Sequence, residues 1–270
     1  MPELPEVETI VRDLARSILG KTIESADVRL PKMAIAPAGL EFCREVAGER
    51  IGAIGRRGKY AVIELVSGRR LVTSLRMTGR LVLACPDRPD DPGTHVVLRF
   101  ADGKQLRFAD VRTFGRMRLV EAGDPWDGEL GVEPLSSGFT QEAFIGMLAG
   151  RTTPIKVLLL DQRRIAGIGN IYACEALWEA RIRPSRPARA LTKPAISRLR
   201  HAIADVLRRA IARRGSSVDD YVDGDGLQGS FQNDLAVYGR LGERCPRCDS
   251  PIVRTVLAGR GTWWCRRCQR

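Results

Sequence analysis

Four cysteines, Cys245, Cys248, Cys265 and Cys268, fall in two Cys-x-x-Cys pairs separated by 16 residues. That spacing suits a four-thiolate zinc site, because each tight turn presents two sulfurs to one metal and the stretch between can return as a hairpin. With all four thiols committed, no coordination position stays open, so the ion organises structure and does not catalyse. Paired disulfides or a redox centre are the alternative readings of the pattern. Cys43, Cys85 and Cys174 are isolated and read as small core or surface residues.

A second chemistry sits in the opening "MPELPEVE". Removal of Met1 leaves Pro2 as a free secondary amine, and a terminal amine has a reference pKa of about 8, far below that of lysine. An appreciable neutral, nucleophilic fraction therefore exists near neutrality. Glu3 and Glu6 lie within a turn of that amine, and Lys59 in "GRRGKY" can serve as proton donor or phosphate clamp. The bland reading of Met-Pro is a processed terminus without a role. Rival nucleophiles are few. The chain has only His95 and His201, with no serine elbow and no Cys–His arrangement. His201 lies in a helical, basic stretch and reads as solvated surface.

The run Gly167-Ile168-Gly169-Asn170 separates two helical patterns. Its glycines allow a sharp reversal, Asn170 can cap the next helix, and the free N–H groups there can hold a phosphate. A plain turn is the alternative.

These residues need elements to hold them. "EVETIVRDLARSILG" carries Val7, Val11, Leu14 and Ile18 at helical spacing and stops at Gly20, so the candidate amine opens a helix. Residues 22–120 read mostly as strand, including "KYAVIELV", "RRLVTSLRM", "RLVLAC" and the pair "HVVLRF" and "QLRFAD" joined at Asp102-Gly103. Residues 1–122 thus predict a β-rich domain, a sandwich, and 123–138 a Gly/Pro/Ser/acid linker. From 139 the pattern turns helical in "TQEAFIGMLAG", "IKVLLLDQ", "NIYACEALWEARI" and "PAISRLRHAIADVLRRAIARRG". Residues 216–236, rich in Gly, Ser and Asp, read as a loop closing this 139–236 domain, and 237–270 as the zinc finger.

Composition narrows the partners. Lys and Arg number 44 against 32 Asp and Glu, a formal charge of +12, which points to a polyanion, nucleic acid first. Residues 240–270 hold eight arginines and two acids, half of that net charge. At 44% hydrophobic residues the chain can bury a core. No run approaches the roughly 18 apolar residues of a membrane span, and the N-terminus lacks a signal-peptide pattern, so a cytoplasmic location is expected.

"PELPEVET", "GRRGKY", "LRMTGRL", "DVRTFG", "GIGNIYACEALW" and "GRGTWWCRRCQ", in this order and across essentially the whole chain, resemble bacterial formamidopyrimidine-DNA glycosylase. The resemblance implies an α+β chain: a β-sandwich with flanking helices, a helix-two-turn-helix domain and a finger holding one zinc ion, with DNA in the cleft between domains. It implies a monomer acting on duplex DNA that contains oxidised purines or abasic sites. Pro2 attacks the sugar of a flipped-out nucleotide, the base leaves, and β- and δ-elimination cut the strand. Glu3 relays protons, Lys59 acts as acid or phosphate ligand, Arg260 holds the phosphate, and Glu6 supports the site. Met77, Arg112 and Phe114 match the positions that fill the vacated stack, His95, Arg151 and Asn170 match backbone contacts, and the loop 216–226 closes over the lesion. Ser74 replaces a histidine found in many relatives and Thr113 a common second arginine, departures that bear on lesion preference. The competing readings are an endonuclease VIII-like enzyme for oxidised pyrimidines, against which "PELPE" and Phe114 speak, a catalytically inactive damaged-DNA-binding zinc protein, and an RNA-binding zinc protein.

Overall fold

The computed structural model describes residues 1–218 and 221–270, and the chain divides into two compact units, Met1–Gly128 with Arg213–Gln232, and Glu129–Ala212 with Asn233–Arg270. The first unit opens with helix α1, Leu4–Ile18. Proline in its first turn is harmless, because the N–H it lacks has no intrahelical partner there. Leu4, Val7, Ile10, Val11, Leu14 and Ile18, three and four apart, are all buried. The helix ends at Ile18, and Gly20 turns the chain with φ of +77°.

Strands β1 (Ile23–Val28), β2 (Ala34–Ile35), β3 (Ile51–Arg57), β4 (Tyr60–Leu65), β5 (Arg70–Ser74), β6 (Gly79–Ala84), β7 (Thr94–Phe100), β8 (Gln105–Asp110) and β9 (Arg116–Val120) follow, with the short helix α2 (Phe42–Val46) between β2 and β3. They form a four-stranded sheet, β1-β7-β8-β6, and a five-stranded sheet, β2-β9-β5-β4-β3. Pairing is antiparallel except between β2 and β9. Alternate residues of both sheets, among them Ala61, Ile63, Leu65, Val96, Leu98, Phe100, Leu106 and Phe108, join the apolar stripe of α1 in one buried cluster. On the opposite face Val62, Val72 and Val120 pack under Tyr60 and Trp126. The sandwich expected for the first half is the observed architecture.

The helical unit comprises α3 (Gln141–Leu148), α4 (Ile155–Leu159), α5 (Asn170–Glu179) and α6 (Lys193–Ala212), then the hairpin β10 (Ile252–Leu257) and β11 (Arg260–Cys265). Thr140 caps α3 by accepting from the Ala143 N–H. Ala258 and Gly259, both at positive φ, make the two-residue hairpin turn. The Gly/Pro stretch read as a linker is tied down beyond Gly128: Val132 and Ile165 form a β-bridge, and Gly131 lies so close that a Cβ would meet the Arg164 backbone at 2.2 Å. After α6, residues 213–232 make their contacts with the first unit, whereas composition alone groups them with the helices.

Candidate active site and nucleic-acid interface

Pro2, Glu3 and Glu6 come together at the head of α1. All three are buried, with Met1 half-buried in front of them. The Glu6 carboxylate accepts from the Glu3 N–H at 2.8 Å through Oε2 and from the Ser216 N–H at 2.8 Å through Oε1. It thus ties the start of α1 to a segment 210 residues away. Gly215, at φ of +80°, is required there, since a Cβ would meet the Glu6 carboxylate at 2.9 Å. Lys59 follows Gly58 in the tight β3–β4 turn and is half-buried.

The segment expected to cover a lesion is anchored on both sides of residues 219 and 220, which lie outside the described residues. Tyr221 is buried, its hydroxyl donating to the Arg214 carbonyl at 3.2 Å, and burial pushes its phenol well above the ordinary value. Arg214 donates to Asp13 at 2.7 Å and through Nε to Asp223 at 2.9 Å, and Asp223 in turn accepts from the Leu227 N–H at 2.8 Å. Asp13, Asp223 and Asp225 lie close enough to share a cation. Arg214 already fills that role, and the pairing with Asp223 holds its guanidinium above the usual range.

A third group sits on two adjacent turns of the sandwich. Met77, after β5, and Phe114, before β9, are 42% and 52% exposed, unusual for such large apolar side chains. Arg112 lies between them, donating to the Met77 sulfur at 3.1 Å and stacking 4.8 Å above the Phe114 ring. His95, half-buried on β7, contacts the Asp110 carbonyl through Nε2 at 3.2 Å, so that nitrogen carries the proton. Ser74 is buried and accepts from the Arg116 N–H at 3.2 Å, while Thr113, at φ of +54°, accepts from Lys32 at 2.7 Å. Ser74 and Thr113 therefore both brace these turns.

In the helical unit Asn170 opens α5 as its first helical residue, with Gly169 at the cap position. Gln162 shapes the turn before it, accepting from the Gly167 N–H at 2.9 Å and donating to the Ile168 carbonyl at 2.8 Å. Asn170 donates to the Gly261 carbonyl at 3.1 Å, and the fully buried Lys156 of α4 donates to the same carbonyl at 2.9 Å and to the Thr262 hydroxyl at 2.7 Å. These bonds hold the start of β11, where Arg260 is exposed. Arg151 is exposed in the turn after α3, and His201 on the outer face of α6. Glu175, buried in α5, accepts from the N–H groups of Ala236, Val237 and Tyr238 at 2.8–3.0 Å and so fixes the entry to the finger; burial raises its pKa against those three donors.

The four cysteine sulfurs lie within 4.8 Å of one another, with Cys245–Cys268 at 3.9 Å and Cys248–Cys265 at 3.4 Å. A tetrahedron with zinc–sulfur bonds of about 2.3 Å has edges of about 3.8 Å, so the cluster fits the ion. The Trp178 indole N–H donates to the Cys245 sulfur at 3.4 Å, with Arg247 stacked 3.9 Å over the indole. The Ser250 backbone N–H lowers the Cys248 thiol to about 6, whereas burial pushes Cys268 up to about 12. Only a cation at the centre lets all four ionise together.

Family models match the chain in three blocks: residues 1–117 fit the formamidopyrimidine-DNA glycosylase N-terminal domain, 130–222 its H2TH domain, and 242–270 a zinc finger found in FPG and IleRS. Sandwich, helical unit and four-thiolate finger together define a zinc-finger DNA glycosylase of base-excision repair, with one structural zinc ion. The chain is 46% identical over 275 residues to a formamidopyrimidine-DNA glycosylase of Desulforamulus reducens, covering 100% of this chain and 99% of the relative. The crystal structure of the MutM (Fpg) protein from Thermus thermophilus superposes with a TM-score of 0.90 at 43% identity, covering 99% and 98% of the two chains. The Lactococcus lactis Fpg in complex with DNA containing an abasic site does so with a TM-score of 0.92 at 39% identity, covering 99% of each. The chain belongs to the formamidopyrimidine-DNA glycosylase family. Among the described residues no helix is long and apolar enough to cross a membrane.

Proposed function

We propose that this chain excises oxidised purines from duplex DNA and cuts the resulting abasic site, using Pro2 as nucleophile. The observation that carries the reading is the placement of Pro2 and Glu3 at the head of a buried, carboxylate-capped helix inside a family whose members are DNA glycosylases. After Met1 is removed, the Pro2 nitrogen attacks C1′ of an extruded nucleotide, the glycosidic bond breaks, and the base leaves with a proton. Glu3 protonates the sugar oxygen as the ring opens, giving an iminium at the former C1′. A secondary amine forms this cation without a further proton, so it is an immediate electron sink for loss of the C2′ proton and departure of the 3′ phosphate. A second elimination releases the 5′ phosphate. Lys59 serves as acid or phosphate ligand and Arg260 holds the phosphate that departs. Met77, Arg112 and Phe114 fill the space left by the extruded nucleotide, since an aromatic or thioether tip can enter between bases and a guanidinium can reach the orphaned partner base. Arg151, His95 and Asn170 contact the DNA backbone, segment 216–226 closes over the base, and the protein acts as a monomer in the cytoplasm.

Borohydride trapping tests this directly. A duplex with 8-oxoguanine opposite cytosine, incubated with the Met1-processed protein and reduced, yields a covalent adduct that maps to Pro2 by mass spectrometry. An adduct on another residue, or none on either this duplex or an abasic one, overturns the assignment.

A further inference from the structure

Asp110, the last residue of β8, is wholly buried and pairs with no cation among the described residues. Its carboxylate instead gathers two turns. Oδ2 accepts from the Gly115 N–H at 2.7 Å, and Oδ1 accepts from the Arg112 N–H at 3.2 Å and from the Thr78 hydroxyl. The Thr78 oxygen also accepts from the Arg112 N–H at 3.2 Å. Thr78 is the residue after Met77, and residues 112–114 carry Arg112 and Phe114, so one hydroxyl–carboxylate pair joins the turns that present all three tips.

The backbone leaves no slack around this pair. A Cβ on Gly115 would meet the Ser74 carbonyl oxygen at 2.7 Å and the Phe108 ring at 2.8 Å, and one on Gly79 would meet the Leu75 carbonyl at 2.2 Å. Arg76 and Thr113, at φ of +54° each, are held in a region that L-residues avoid, and β-branched ones most. A buried carboxylate with three donors cannot release them without leaving a charge uncompensated in the interior, so the arrangement resists loosening.

We propose that Thr78 and Asp110 are positioning residues for base extrusion: their hydrogen bond locks the Met77 turn to the Arg112–Phe114 turn, so that the three tips enter the duplex as one rigid wedge. This rests on the wedge role proposed for Met77, Arg112 and Phe114. Threonine supplies the one hydroxyl that both accepts from the Arg112 turn and donates to Asp110. Valine in its place keeps the volume and removes the link, whereas serine keeps the link.

The test uses the full-length, zinc-loaded Thr78→Val, Thr78→Ser and Met77→Ala variants, with thermal melting to verify the fold. Wedge entry is read by the fluorescence of 2-aminopurine placed opposite a tetrahydrofuran abasic analogue, and chemistry by cleavage of an abasic site in single-stranded DNA, where no stack needs filling. T78V should lose about tenfold in single-turnover excision of 8-oxoguanine from duplex, the size expected of a small misplacement. It should also lose most of the fluorescence rise while cutting single-stranded abasic DNA at the wild-type rate; T78S should restore both. If M77A is impaired and T78V is not, the positioning role is wrong. If M77A inserts and excises normally, the wedge reading itself fails and takes this inference with it. Should T78V not fold, Asp110→Asn, which keeps an acceptor for the Gly115 N–H, replaces it. The same selective loss then supports the lock, and normal insertion overturns it.

Discussion

The two units hold their candidate site residues by different means. In the sandwich unit, buried carboxylates do it: Glu6 fixes the head of α1 and the backbone at Ser216, Asp13 and Asp223 grip Arg214, and Asp110 gathers the turns around Met77 and Arg112. In the helical unit a metal closes the finger, and the side chains of Lys156 and Asn170 seat its hairpin through a single carbonyl. Carboxylates distribute the organising work over partners up to 210 residues apart. Zinc concentrates it at four sulfurs within 24 residues of chain. The first region should therefore fail piecemeal and the second all at once.

Removing the metal separates them most sharply. Chelation of the full-length protein should abolish DNA binding, a loss of about 100-fold or more, while the sandwich keeps its unfolding transition, because zinc-binding energy is folding energy for the finger alone. DNA binding that survives chelation, or a sandwich that melts with the finger, breaks the contrast. Acid should act in the same direction: the thiol raised to about 12 must give up its proton to bind the ion, so zinc affinity falls as pH falls, and release followed by a zinc-sensitive dye should shift accordingly.

A smaller, local effect is expected of Asp223→Asn. The amide still accepts from the Leu227 N–H but removes one charge from Arg214, at a cost of about 1–3 kcal/mol. Denaturant unfolding should show that loss in the sandwich transition with zinc content unchanged. An unaltered midpoint would mean that the clasp contributes nothing. The smallest effect is expected of Arg151→Ala, at an exposed position proposed to meet one phosphate. It should weaken DNA binding modestly and reduce the slope of log affinity against log salt by about 0.9, the contribution of one phosphate contact. An unchanged slope removes Arg151 from the interface.

The same contrast explains what was legible in the sequence. Cys245, Cys248, Cys265 and Cys268 announced the finger, since thiolates must be spaced in pairs to share a metal. The apolar stripe of α1 and the short β-branched and aromatic runs of β4, β7 and β8, with the Asp102-Gly103 turn between the last two, pointed to the sandwich, because buried strands select such residues. The carboxylate anchors left no such trace. Asp110 at a strand end and Asp223 in a Gly/Asp-rich stretch look like ordinary turn residues, and their partners, Thr78 and Arg214, come close only when the fold is made. Lys156 was hidden for a related reason: a cation within "IKVLLLDQ" reads as a solvated helix face, yet it is fully buried against the Gly261 carbonyl. The composition of the segment after α6 is that of a loop, and nothing local shows that Tyr221 is buried against α1.

The return of residues 213–232 to the first unit also fixes an order of events during synthesis. Asp13 leaves the ribosome 201 residues before its partner Arg214. At 5–20 residues per second that interval is roughly 10–40 s. Through all of it the sandwich can collapse on its own strands, but Glu6 lacks Ser216 and Asp13 lacks its guanidinium. The nascent chain thus carries the start of α1 long before it carries the strap that seats it, and the head of that helix is finished only once residues 213–232 have emerged.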